Sequence, residues 1–233
     1  MSRSVGRSEA SDAVIGLGRR VAGAGLVVGA GGNISARTGP DEILVTPSGW
    51  ALDDLDEQRL VVLGLDGQVR HPAQGAAQAL AGGAKPSSES SMHLAAHRAR
   101  PDIGVALHLH PPHANLLVAT GRPIRCTTLY HAYYVRGLAH VPYLPSGTVE
   151  LADAVAAGLG QTDVVLLAHH GCLVVGADAD LAFERAVNLE SAATATFRAL
   201  LLGDTTTVCP PEYMERMRAL EAEAGGPVYG KGT

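Results

Sequence analysis

Two histidines stand one residue apart at His108-Leu109-His110, closing an apolar run that starts at Ile103. Side chains alternate faces along a strand, so both rings project the same way, with Cα atoms about 6–7 Å apart. Two imidazoles at that separation can share one metal ion through bonds of about 2.0–2.1 Å. The plainer alternative is a pair of strand histidines at a solvent edge. His169-His170-Gly171 closes a second apolar run, Val164 to Ala168, and offers a third ligand. Adjacent strand residues point oppositely, so one of the pair faces the metal, and spacing does not choose between them. Three neutral imidazoles leave an open position on zinc, the pattern of a catalytic site. His113, on the following helix, is a spare candidate. A closed structural zinc needs a fourth fixed ligand, and none of Cys126, Cys172 and Cys209 stands at suitable spacing.

Three small-residue segments are rich in hydrogen-bond donors: Gly31-Gly32-Asn33-Ile34-Ser35, Thr46-Pro47-Ser48-Gly49 and Lys85-Pro86-Ser87-Ser88-Glu89. Glycine admits close approach to the backbone, and turn or helix-start N–H groups attract anions. Each segment alone reads as ordinary turn or N-cap chemistry. Together, and beside a histidine cluster, they suggest a phosphate-plus-metal site. No G-K-[ST] follows the glycines, so this is not a P-loop.

These residues need a scaffold. The chain has 233 residues, ample for a core without disulfides or a structural metal. Net charge is −5 and aromatics are 4%, which argues against a nucleic-acid footprint or a base-stacking platform. Three widely spaced cysteines fit reduced thiols in a cytoplasmic protein. No apolar run reaches the ~18 residues of a membrane span, and no apolar stretch follows the polar start as in a secretory signal. The sequon Asn33-Ile34-Ser35 is therefore read as something other than a glycosylation site.

Helices are expected at Ser8–Gly25 (capped by Ser8 or Ser11), Pro86–Arg98, Pro111–Thr120, Thr148–Gly158, Asp178–Leu202 and Pro211–Ala224. Strands are expected at Ile34–Arg37, Glu42–Thr46, Leu60–Leu65 with a hairpin at Asp66-Gly67, Ile103–His110, Val164–His169 and Cys172–Val175. Gln74–Lys85 reads as a surface loop or extra helical turn, and residues 122–145 as short strands and loops. Alternating helices and hairpin-linked strands suggest one α/β layered domain spanning residues 1–233, with flexible ends at about 1–7 and 225–233.

Gly32-Asn33-Ile34-Ser35, Thr46-Pro47-Ser48-Gly49, Pro86-Ser87-Ser88-Glu89, His108-x-His110 and His169-His170-Gly171 occur in the order found in class II aldolases of the L-fuculose-1-phosphate aldolase type. The chain resembles this wider aldolase/adducin family from about residue 8 to 202. The resemblance implies a single three-layer α/β/α domain around a mixed, largely antiparallel sheet. It also implies one zinc per subunit and a homotetramer with sites at subunit interfaces. It assigns His108, His110 and His170 as zinc ligands and Glu89 as the acid/base. Gly32, Asn33, Ser48, Gly49, Ser87 and Ser88 match its phosphate-binding positions. The implied reaction is retro-aldol cleavage of a ketose 1-phosphate to dihydroxyacetone phosphate and an aldehyde, through a metal-bound enediolate. Enclosure near apolar surface is expected to raise the Glu89 pKa toward neutrality.

The chain departs from the pattern where the family handles the aldehyde. Counting from Arg122-Pro123-Ile124, the family's tyrosine falls on Leu129, with Tyr130 adjacent. The aromatic before a Gly-Thr pair is Ser146 here, and a C-terminal tyrosine matches Tyr229. Tyr130 and Tyr229 are thus the candidate proton donors. Sugar-phosphate dehydratases of the methylthioribulose type and oxo-tetronate-phosphate decarboxylases share the scaffold and are the alternative activities. An adducin-like interaction domain is the non-enzymatic alternative, and it predicts loss of the metal ligands.

Overall fold

The computed structural model describes residues 6–70, 85–160 and 162–224. Among the described residues, seven strands form one mixed sheet: β1 (Asn33–Gly39), β2 (Glu42–Val45), β3 (Val61–Gly64), β4 (Val105–Leu109), β5 (Ala139–Val141), β6 (Val164–Leu167) and β7 (Gly171–Gly176). Their order is β3-β2-β1-β4-β7-β6-β5, with only β5 and β6 parallel. The helices are α1 (Arg7–Gly23), α2 (Ser90–Ala99), α3 (Pro112–Ala119), α4 (Leu129–Val135), α5 (Val149–Leu159), α6 (Ala179–Leu201) and α7 (Pro211–Ala224).

Strand alternation divides the core into two layers. Ile34, Leu107, Leu109, Val164, Leu166, Cys172 and Val174 pack with α1, α3 and α6. Ala106, Val165, Leu167, Leu173 and Val175 face α2 and α5 on the other side. The result is the three-layer α/β/α arrangement, with β4 and β7 buried along their whole lengths. Each fully buried aliphatic side chain contributes roughly 1.5–3 kcal/mol, which makes this central pair rigid. His108 has the parity of Ala106, so the sheet delivers it to the α2 face. Asn33 pairs with His108 and Ser35 with Ala106, which brings both to that same face.

Several sequence expectations change. α1 starts after Gly6 with no side-chain cap, and Ser11 donates instead to the Arg7 carbonyl. α2 begins at Ser90, not Pro86, because Lys85–Ser87 is committed to bridging the Thr46 turn. The segment 122–145 holds helix α4, where the Thr128 hydroxyl accepts the His131 N–H as cap. The strand expected to reach His169 ends at Leu167. The expected loop within Gln74–Lys85 lies outside the described residues but for Lys85. The Asp66-Gly67 turn is present, with a single bridge between Leu63 and Val69 rather than a full returning strand.

Candidate active site

Four chain segments converge at one end of the β1–β4–β7 ladder. His108 is fully buried on β4, and His110 follows the strand end, tied by its N–H to the Leu26 carbonyl at 3.0 Å. The His169-His170 pair sits in the tight β6–β7 turn rather than on a strand. His169 is exposed and adopts φ 59°, and this left-handed residue turns the chain so that His170 faces inward. The turn, not strand alternation, chooses between the two. Asn115 on α3 holds the His170 carbonyl at 3.3 Å.

The ligand-capable atoms of His108, His110 and His170 lie within 4.8 Å of one another. The Nε2 atoms of His108 and His110 are 3.0 Å apart. His108 Nδ1 is 3.0 Å from the Cys172 carbonyl, an acceptor, so Nδ1 carries the proton and Nε2 presents its lone pair to the cluster. The donor set fits a divalent cation held by three imidazoles. His113 is excluded from it, since its ring binds Glu190 at 2.7 Å. Gly171 makes this packing possible. A Cβ there would stand 2.6 Å from His110 Cδ2 and 3.1 Å from His108 Cε1, besides striking the Leu109 carbonyl.

Glu89 occupies the N-cap position of α2, yet makes no capping bond with its side chain. Its carboxylate is turned into the site instead. Oε2 accepts from Asn33 Nδ2 at 3.0 Å and lies 3.0 Å from His108 Nε2. Oε1 accepts from Ser146 Oγ at 2.7 Å and lies 3.0 Å from His170 Nε2. Burial pushes this carboxyl upward, but its contacts with the His108 and His170 rings and the Asn33 amide outweigh it. The group is held well below the usual carboxylate range rather than raised toward neutrality. The reason is that it sits among polar and ionisable groups, not against apolar surface alone. Burial lowers His110 to about 4, so this ring is neutral near pH 7, as a metal ligand must be.

The donor-rich segments are stitched side by side. Thr46 Oγ1 accepts the Ile34 N–H at 3.1 Å, the Thr46 carbonyl accepts the Ser87 N–H at 3.1 Å, and the Ser48 N–H reaches the Lys85 carbonyl at 2.9 Å. Ser48, Gly49 and Ser88 are exposed around this seam, while Ser87 is buried and its hydroxyl accepts the Glu89 N–H. Gly32 has φ 80°, a conformation natural to glycine, and a Cβ there would stand 2.9 Å from the His108 carbonyl. A Cβ on Gly31 would lie 3.0 Å from His110 Nδ1. The glycine turn therefore abuts the imidazole cluster directly.

Three groups here lie outside the motifs that point to the site. Ser146, noted only as a departure, is bonded to Glu89. His93 and His97 lie one and two turns beyond Glu89 on α2, and their spacing was the available signal. Tyr130 is 62% exposed on α4, and Tyr229 lies outside the described residues.

The model of the class II aldolase and adducin N-terminal domain matches residues 12–197. The chain belongs to the class II aldolase and adducin family. It is thereby placed among metal-dependent, aldolase-type lyases. A 5-methylthioribulose-1-phosphate/5-deoxyribulose-1-phosphate aldolase of Rhodospirillum rubrum is 32% identical over 207 residues, covering 88% of this chain and 87% of that one. A 3-oxo-tetronate 4-phosphate decarboxylase of Haemophilus influenzae is 31% identical, covering 79% and 85%. A solved L-fuculose 1-phosphate aldolase superposes with a TM-score of 0.79 at 28% identity, covering 94% and 96%. The intact imidazole cluster sets this aldolase-family chain apart from an interaction domain lacking the ligands. Among the described residues, no helix is long and apolar enough to cross a membrane.

Proposed function

We propose that the protein cleaves a ketose 1-phosphate by retro-aldol chemistry, releasing dihydroxyacetone phosphate and a short aldehyde. The observation that carries this is Glu89, a buried carboxylate within 3.0 Å of both His108 and His170 and beside the stitched donor turns. The R. rubrum relative's name, covering ribulose 1-phosphates altered at carbon 5, supports a five-carbon substrate, and the fuculose aldolase structure supports a six-carbon one.

In this reading the substrate phosphate lies against Gly32, Asn33, Ser48, Gly49, Ser87 and Ser88. Backbone and hydroxyl donors there hold it without a lysine. His108, His110 and His170 would hold a divalent cation, zinc in this proposal, which would supply Lewis acidity beside the breaking bond. Glu89, ionised at rest, takes up a proton from solvent and passes it to the carbon that keeps the electron pair, and in the reverse direction removes it and returns it to solvent. Asn33 and Ser146 hold its two oxygens in place. Tyr130 of a neighbouring subunit in a homotetramer exchanges the proton on the aldehyde oxygen, a role that its outward position on α4 supports. Tyr229 shares that assignment on the family pattern.

The test is a panel of ketose 1-phosphates with metal-loaded protein, reading dihydroxyacetone phosphate through a coupled enzyme. Release of dihydroxyacetone phosphate with one equivalent of aldehyde is expected. Carbon dioxide or a dehydrated sugar phosphate in its place overturns the aldol assignment in favour of decarboxylation or dehydration.

A further inference from the structure

Glu89, His93 and His97 recur every fourth residue and form one stripe along α2. Asn33 and Ser35, two apart, share one face of β1. The two stripes mesh into a continuous chain of buried hydrogen bonds. Asn33 Nδ2 meets Glu89 Oε2 at 3.0 Å, and Asn33 Oδ1 meets His93 Nε2 at 2.5 Å. Ser35 Oγ lies 2.7 Å from His93 Nδ1 and 2.9 Å from His97 Nε2. Ser35, His93 and His97 are all essentially inaccessible to solvent.

The donor inventory gives this chain one direction. A carboxylate only accepts, so the Asn33 amide turns its nitrogen to Glu89 and its oxygen to His93. His93 must then carry its proton on Nε2. Burial keeps the ring neutral, lowering it to about 3, so Nδ1 is a lone pair that accepts the Ser35 hydroxyl proton. With its own proton committed, Ser35 accepts from His97 Nε2. His97 is likewise held neutral by burial, which leaves Nδ1 unprotonated. That atom is buried and has no partner. The one unsatisfied atom of this hydrogen-bond relay thus falls where the direction of donation places it, at the far end. An acceptor lone pair is the less costly group to leave there.

We propose that His97, Ser35 and His93 are positioning residues that lock Asn33 as an obligate donor toward Glu89, fixing the carboxylate without touching substrate or metal. Reversing any link would turn the Asn33 oxygen onto the carboxylate. The relay explains why Asn33-Ile34-Ser35 spells a sequon while both polar side chains are buried.

Neutron diffraction from deuterium-exchanged crystals of the full chain reads the relay directly, whatever the substrate. Deuterons are expected on His97 Nε2 and His93 Nε2, with none on either Nδ1. A deuteron on His93 Nδ1, or an Asn33 amide turned the other way, overturns the proposal. A kinetic arm rests on the proposed aldol reaction. S35A is expected to lower kcat about tenfold with KM within twofold of wild type and equal metal per chain. Wild-type kcat in a folded S35A overturns the positioning role. If the protein turns over no ketose phosphate, the aldol reading fails and the deuteron positions still decide the relay.

Discussion

Asn33 and His108 sit opposite one another across the antiparallel β1–β4 ladder. Both side chains leave the sheet on the α2 face, and both meet the same oxygen of Glu89, at 3.0 Å each. Strand register alone therefore sets one Glu89 oxygen between a metal-ligand candidate and the Asn33 amide. A one-residue slip would send Asn33 into the α1 and α6 layer and dismantle the site.

Glu89→Gln preserves size but cannot exchange a proton. Turnover is expected to fall by about 10²–10⁴-fold, the usual range for a lost acid/base. Metal content and melting temperature should stay near wild type. Steady-state kinetics with elemental analysis checks this, and near-normal turnover removes Glu89 from the mechanism.

Gly171→Ala tests the packing behind the imidazoles. The new methyl group would press on His110 Cδ2 and His108 Cε1 and tilt both rings. Metal affinity is expected to drop roughly 10–100-fold, as for other changes to the support of metal ligands. Competition titration against a chelator measures it. Unchanged affinity would show that the rings need no such fit.

His169 and His170 should separate cleanly. His170→Ala is expected to lose bound metal. His169→Gly relieves a left-handed non-glycine residue at φ 59° and should leave metal content intact, with stability changed by no more than about 1 kcal/mol. The reverse pattern would reassign the third ligand.

Ser146→Ala removes the 2.7 Å bond to Glu89 Oε1. At about 1.5 kcal/mol, the low end for a bond to a charged group, kcat should fall roughly tenfold. A conserved kcat with altered KM would place Ser146 in substrate binding instead.

The site was legible where chemistry forces residue type and spacing together. His108-x-His110 at the end of an apolar run was enough to bring both rings to one end of the sheet, although β4 stops at Leu109 and His110 is fixed by its bond to the Leu26 carbonyl. The α/β layering followed from the same alternation of apolar runs and capped helices. The choice of His170 over His169 was not readable from spacing, because it depends on where β6 stops and on one left-handed residue. Helix α4 was missed because Leu129–Val135 is short and aromatic-rich, and its evidence is tertiary: the Thr128 cap and the Tyr133 and Arg136 bonds to Glu221 on α7. The depressed Glu89 carboxyl was missed for a similar reason, since its polar neighbours come from β1, β4, the β6–β7 turn and the Ser146 loop. The four-residue spacing of Glu89, His93 and His97 was visible, but it gains meaning only when set against Asn33 and Ser35.

Anomalous diffraction at the zinc edge, from crystals of zinc-loaded protein, tests the central claim most directly. One peak per chain is predicted, about 2.0–2.1 Å from Nε2 of each of His108, His110 and His170. A peak elsewhere, or none under loading conditions, would contradict a shared cation at this site.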